Sequence, residues 1–313
     1  MEKNKEVLNK FIQYLEIERD LNNNTTQQYH RIIERFISFF KDKSIKEITV
    51  SDIRAYLAFH KKSGIWKKSN TFAVHIIFLR AFFRFLYREN IIKDNPAINI
   101  RVPPQRREQE IKYLDRDELE KIIRILETIR YNNGERAIFH LLLSTGMRVN
   151  ELLSLTKNKS YINIVERKIF LPKTKTRRPH YIMFSKEAQH YLKLYLIEDQ
   201  ISNSKYLFHQ KDGKPINRGT IWQLLNKIII LAFPYGWDKP YGPHLLRHTF
   251  ATNWVSSGGN LIGLQSIMGW HNLQMTEVYV HQSEELVTGA YEEYEKKKKQ
   301  KERKDGKKSI KTI

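Results

Sequence analysis

Residues 243–281 read PHLLRHTFATNWVSSGGNLIGLQSIMGWHNLQMTEVYVH, and the rest of the chain is best read outward from them. His244 and Arg247 stand three apart, so a helix projects them from one face about a turn apart. Leu245, Leu246, Phe250, Ala251 and Trp254 take the remaining positions and predict the face that anchors this helix in a core. Ser256-Ser257-Gly258-Gly259 ends it, since glycine supplies the positive-φ positions of a helix stop and turn. A second short helix is expected over Leu261–Met268, followed by Gly269, Trp270 and His271, with Tyr279 in a polar setting of Thr276, Glu277 and His281. A histidine, an arginine, an aromatic–histidine pair and a tyrosine within 36 residues point to a site for a phosphate rather than to plain core.

Composition bounds the partner. The chain has 313 residues, which favours two domains, and 41% hydrophobic residues, enough for ordinary cores. Its net charge of +21 favours a polyanion. Residues 296–313 carry +8 of this, so the remainder still holds +13 and is basic in its own right. The absence of cysteine excludes disulfides, thiolate chemistry and cysteine-based zinc sites. No run of 18 apolar residues occurs, and the N-terminus leads into an amphipathic helix rather than a signal peptide. The expectation is a soluble cytoplasmic protein with no membrane partner.

From the N-terminus, Val7, Leu8, Phe11, Ile12 and Leu15 recur at helical spacing. Asn22-Asn23-Asn24-Thr25-Thr26 breaks that helix and caps a second over 27–40. Thr49 with Asp52 makes a capping-box pattern for a third over 51–61, and Ser69-Asn70 opens a fourth over 71–89. The first 97 residues thus predict a small helical bundle of four or five helices. Arg31, Arg35, Lys61, Lys62, Lys67, Lys68, His75, Arg80 and Arg84 decorate it, each of which alone reads as part of a solvated helix face. Residues 98–112, with Pro103-Pro104 and Arg101, Arg106, Arg107 and Lys112, lack helical periodicity and read as an extended linker.

Beyond it, Asp115 with Glu118 starts a helix to about 131, and another spans 135–143. Ser144-Thr145-Gly146 makes a tight turn that sets Arg148 at the head of the helix carrying Glu151, Leu152 and Leu155. Segments 161–165, 168–171 and 180–184 alternate with period two around the basic turn from Lys173 to Arg178, predicting a small antiparallel sheet. Further helices are expected at 186–199, 218–231 and 283–299, the last running into the lysine-rich tail. The fold class is mainly α: an N-terminal helical bundle (1–97), a linker (98–112), a mostly helical α+β domain with a small antiparallel sheet (113–295), and a basic tail (296–313).

HxxR, then Gly-Trp, then a tyrosine nine residues on resembles the tyrosine recombinase, or phage integrase, family. Upstream, TGMRVNEL at 145–152 resembles that family's first catalytic box, and the first hundred residues resemble its core-binding domain, a SAM-like helical bundle. The resemblance covers nearly the whole chain. It implies a C-shaped clamp on double-stranded DNA, acting as four protomers on two sites and as a monomer when free. The basic residues of the bundle then read as phosphate contacts, which position a protein without reading sequence.

The resemblance also assigns residues. Arg148 and Arg247 offer planar guanidinium forks to phosphate oxygens, and they stabilise developing charge best where water is excluded. Tyr279 is the nucleophile; its ordinary pKa of about 10 calls for neighbouring cations or a base. His244 serves as donor or general base, and Glu151 as a supporting hydrogen-bonding residue. The family's lysine, general acid for the leaving 5′-oxygen, sits on the β-turn ahead of an apolar strand; Lys175 matches if that strand is Ile182-Met183-Phe184, with Lys173 the alternative. Family members carry His or Trp nine residues before the tyrosine, which selects Trp270, with His271 the alternative one residue out of register.

Together these imply a site-specific DNA recombinase that forms a 3′-phosphotyrosyl bond and needs no cofactor, ATP or metal. A type IB topoisomerase shares the chemistry but religates the same strand, and a catalytically silent DNA-binding protein would keep only the clamp. A metal-dependent transposase would need clustered carboxylates, and no convincing triad is present. Within recombinases, the two-domain layout without room for an arm-binding domain favours a Xer-like resolvase or a compact mobile-element integrase, and Trp270 tilts toward the latter.

Overall fold

The computed structural model describes residues 2–41, 43–64, 69–103, 111–129, 131–158, 161–172, 179–200 and 202–270, together with Thr276 and Tyr279. The chain divides into two compact units, Met1–Gln109 and Glu110–Ile313.

The first unit holds α1 (Glu2–Ile17), α2 (Asn23–Phe39), α3 (Val50–Lys62) and α4 (Ser69–Arg88), with one 3-10 turn at Ile45–Glu47. Caps set the helix starts. Asn22 accepts the Thr25 N–H, and Thr49 exchanges bonds with Asp52 in a capping box. Lys43 reaches Asp52 at 2.6 Å, and this bond holds the carboxyl down at about 2. The apolar positions of all four helices converge on an aromatic centre. Phe11 meets Phe82 edge-on at 5.1 Å, and Phe36 meets Tyr56 at 4.9 Å and Phe83 at 5.7 Å. One expected surface residue lies inside: His75 is buried, its Nδ1 2.7 Å from the Thr71 carbonyl, because it occupies the same face of α4 as Leu79 and Phe82. Arg80, Arg84 and Arg88 instead line a cleft of about 350 Å³ with Arg19, over Tyr14, Tyr29 and Phe85.

The second unit holds α5 (Arg116–Thr128), α6 (Asn133–Thr145), α7 (Val149–Leu153), a sheet, α8 (Lys186–Glu198), α9 (Arg218–Ala232), α10 (Pro243–Ser256) and α11 (Leu261–Met268). The sheet is antiparallel in the order β1 (Ile162–Asn163), β2 (Lys168–Leu171), β3 (His180–Met183), with Ile169 opposite both Ile162 and Ile182. Those three isoleucines turn inward while Tyr181 faces solvent, as the two-residue period requires. α6 is buried along most of its length and packs against both α8 and α10. Two polar contacts tie distant segments together. The Leu114 N–H donates to Thr249 Oγ1 at 2.9 Å, and Lys239 pairs with Glu118, the residue that also caps α5. The first of these anchors α10 to the segment that precedes α5.

Candidate active site

Two helix ends and the buried face of α10 build the site. α6 stops at Thr145 because Gly146 takes the left-handed conformation, φ 60°, that closes a helix C-terminus. A Cβ at Gly146 would lie 2.5 Å from Phe250 Cδ1, so glycine is required by space as well as by backbone. Thr145 Oγ1 then accepts the Met147 N–H at 3.1 Å, and Arg148 becomes the residue that precedes α7. Glu151 accepts the Arg148 N–H at 2.7 Å through Oε2, while its Oε1 stands 3.5 Å from Arg148 Nη1. One glutamate therefore starts the helix and steadies the guanidinium, the supporting part expected of it.

α11 ends in the same manner at Gly269, also φ 60°, which leaves the Met268 carbonyl without a partner inside its helix. Both arginines supply that partner. Arg247 Nη2 donates to it at 3.0 Å and Arg148 Nη1 at 3.2 Å, and Arg247 Nη1 donates to the Gly146 carbonyl. Helix C-termini carry partial negative charge, so the two cations are stabilised there.

His244 and Arg247, three residues apart on α10, meet different surroundings: His244 is exposed, whereas Arg247 is only 6% exposed. Burial, and secondarily the charge of Arg148, brings the Arg247 pKa down to about 10, and burial lowers that of Arg148. Partial enclosure and the charges of Arg247, Arg148 and Arg218 lower that of His244. Two guanidiniums share one carboxylate, Glu151, so the site keeps a surplus of positive charge suited to an anion.

Tyr279 lies inside this cluster. It is 6% exposed, in contact with a small core of Ala251, Val255, Leu264 and Met268. Trp270 stacks on its ring at 5.6 Å and 19°, and the Arg247 guanidinium stands 5.7 Å from the Trp270 ring centre. Burial pushes the Tyr279 phenol up to about 12, against the opposing charges of Arg247 and Arg148. Its hydroxyl is 2.8 Å from His248 Nδ1.

Of the residues expected in the site, Arg148, Arg247, Trp270 and Tyr279 come together, and His244 lies beside them. Lys175, Lys173 and His271 lie outside the described residues, as does the expected helix over 283–299. His248 was missed. Its signal was present in His244-Leu245-Leu246-Arg247-His248, since residues four apart share a helix face.

The phage integrase family pattern matches residues 112–285, and the phage integrase N-terminal SAM-like domain matches 8–90. Tyrosine recombinase XerD of Oceanobacillus iheyensis is 29% identical, covering 91% of this chain and 96% of the relative. Tyrosine recombinase XerC of Bacillus subtilis is 30% identical, covering 93% and 96%. Among solved structures, the Tn1549 transposon integrase in complex with transposon right-end DNA superposes with a TM-score of 0.72 at 19% identity, covering 92% of this chain and 99% of that one. A lambda integrase dimer bound to a COC′ core site gives 0.70 at 19%, covering 88% and 94%. At such identity these two speak to the fold, whereas the matched family pattern and the XerC relative speak to descent. The chain belongs to the phage integrase family of tyrosine recombinases.

Proposed function

We propose that the chain is a site-specific DNA recombinase whose nucleophile is Tyr279. The observation that carries this reading is the convergence of Arg148 and Arg247 on one backbone carbonyl beside Tyr279. Two guanidinium forks aimed at a single oxygen form a cradle in which a phosphodiester oxygen can replace the Met268 carbonyl. Their positive surplus then meets the charge that builds on the equatorial oxygens of phosphorus during attack. His244 and the Trp270 indole N–H complete the set as phosphate donors.

In the reaction, the Tyr279 oxygen bonds to phosphorus and the bond to the 5′-oxygen breaks. The phenolic proton passes to an imidazole, and a lysine, Lys175 or Lys173, protonates the departing 5′-oxygen. The bond energy is kept in a 3′-phosphotyrosine, which the 5′-hydroxyl of the partner strand attacks to rejoin DNA. Residues 1–97 serve as the core-binding domain, 98–112 as the linker along DNA, 113–295 as the catalytic domain, and 296–313 as a basic tail. Four protomers assemble on two double-stranded sites. No helix among the described residues is long and apolar enough to cross a membrane, and the proposed place of action is the cytoplasm, where the DNA is.

The test is a nicked suicide duplex, drawn from DNA enriched by the protein itself, incubated in EDTA with wild type and with Tyr279→Phe. A covalent adduct with wild type alone is expected. An adduct that survives in Tyr279→Phe would place the nucleophile elsewhere.

A further inference from the structure

Among the described residues, His248 is the imidazole within hydrogen-bond distance of the Tyr279 oxygen. It follows Arg247 directly and lies one helical turn beyond His244 on α10. His244, in contrast, stands exposed at the edge of the cluster, with Arg247, Arg148 and Arg218 as its charged neighbours.

The sense of the 2.8 Å contact follows from the charges around it. Arg247 and Arg148 both act on the Tyr279 oxygen, so its lone pairs are drawn toward them and its hydrogen is turned away. The hydroxyl therefore donates to His248 Nδ1, which must carry a lone pair. Such an arrangement leaves the phenolic oxygen open on the side where the guanidiniums would hold a phosphate. It also places the proton to be lost against a group able to take it. Geometry of this kind comes first in identifying a general base.

We propose that His248 is the general base for Tyr279, taking the phenolic proton on Nδ1 as the oxygen bonds to phosphorus and returning it when phosphotyrosine is attacked by a 5′-hydroxyl. This rests on Tyr279 being the nucleophile. The balance is closed: the O–H bond of Tyr279 and the bond from phosphorus to the 5′-oxygen break, while a phosphorus–oxygen bond to Tyr279 and an N–H bond on His248 form. The 5′-oxygen receives its proton from a separate acid. In the resting site burial, with the charges of His244 and Arg247, keeps the imidazole neutral, its pKa held to about 4, while the phenol is pushed up to about 12. The proton consequently stays on oxygen at rest. It moves only in step with attack, when bonding to phosphorus removes the basicity of the phenolic oxygen.

The experiment measures single-turnover cleavage of the suicide duplex by wild type, Tyr279→Phe, His248→Leu and His248→Asn, with DNA affinity and thermal melting recorded for each. Adduct with wild type and none with Tyr279→Phe verifies the nucleophile before His248 is judged. Asparagine retains a hydrogen-bond acceptor near the place of Nδ1 but cannot take a proton, so both His248 variants should cleave about 10²-fold or more slowly at unchanged DNA affinity. Incorporating 3,5-difluorotyrosine at position 279, whose phenol is more acidic, should recover most of that loss in His248→Asn. A 5′-bridging phosphorothiolate, whose leaving sulfur needs no proton, should recover none of it. Wild-type rates in His248→Asn would overturn the proposal, as would a defect cured by the phosphorothiolate or untouched by fluorination. If His248→Leu melts early, the fluorotyrosine comparison in His248→Asn decides alone.

Discussion

Replacing Gly146 by alanine tests the architecture on which the site depends. Gly146 sits at φ 60°, where an L side chain is strained by roughly 1–2 kcal/mol. The new methyl would meet Phe250 Cδ1 at 2.5 Å and Met268 Sδ at 3.0 Å, so the neighbouring rings and chain must shift. Overpacking of this kind typically costs about 1–3 kcal/mol. The combined loss is about 2–5 kcal/mol, and at about 2–4 °C per kcal/mol for a domain of this size the melting midpoint should fall by at least about 4 °C. Activity should suffer separately. The Gly146 carbonyl accepts from Arg247, and the Met268 carbonyl accepts from both arginines, so a displacement of about 1 Å here moves the phosphate cradle and lowers single-turnover cleavage on the order of 10²-fold. Differential scanning calorimetry and suicide-substrate cleavage read the two effects. Combining Gly146→Ala with Phe250→Leu should give less than the sum of the single losses, because the second change makes room for the methyl. A Gly146→Ala protein that melts within about 2 °C of wild type and cleaves normally would show that neither the fold nor the site needs glycine there.

One buried and one half-buried imidazole predict a shape for the stability–pH curve. His140 and His248 are both held to about 4, chiefly by burial, so between the ordinary value of about 6.5 and 4 the unfolded chain takes up protons that the folded chain does not. Stability should therefore fall as pH drops through that window, and His140→Phe, in a site already stacked on Tyr191 at 5.1 Å, should flatten the fall in urea titrations at pH 7 and pH 4.5. Deleting residues from Ser283 onward should leave DNA binding in gel-shift assays while impairing strand exchange between two sites; normal recombination by the truncation would rule out a role for that segment in assembly.

Much of the fold was legible in the residues because its signals are local. The Thr49–Asp52 and Asp115–Glu118 boxes form as their spacing predicts, and the expected helix over Leu261–Met268 keeps those bounds, between Asn260 and a left-handed Gly269. The three short strands pair antiparallel with Ile162, Ile169 and Ile182 inward, since alternation along a strand states which side is buried. Where one helical turn was gained, as at Asn133–Thr145, the cap was an Asn132–Glu135 box that the apolar pattern alone did not mark. Arg148, Arg247, Trp270 and Tyr279 could be named together because TGMRVNEL, HLLR and a Gly-Trp nine residues before a tyrosine resemble the motifs of the tyrosine recombinase family in kind and order.

Other features were decided only when the elements packed. Helical spacing puts His244 and Arg247 on one face, yet it cannot say that α11 covers Arg247 and leaves His244 open. The same limit placed His75 inside the bundle, where it had read as surface charge. The partner that gathers Arg148 and Arg247 is a backbone carbonyl, Met268, and a carbonyl has no letter in a sequence. His248 meets Tyr279 across 31 residues of chain, a contact fixed by the packing of Tyr279 against α10 and α11 rather than by any spacing. Periodicity and capping patterns marked the helices and the polar side chains they carry. The tertiary structure decided which of those groups are buried, what they touch and how their proton affinities move, because burial and distance belong to pairs of elements and periodicity to only one.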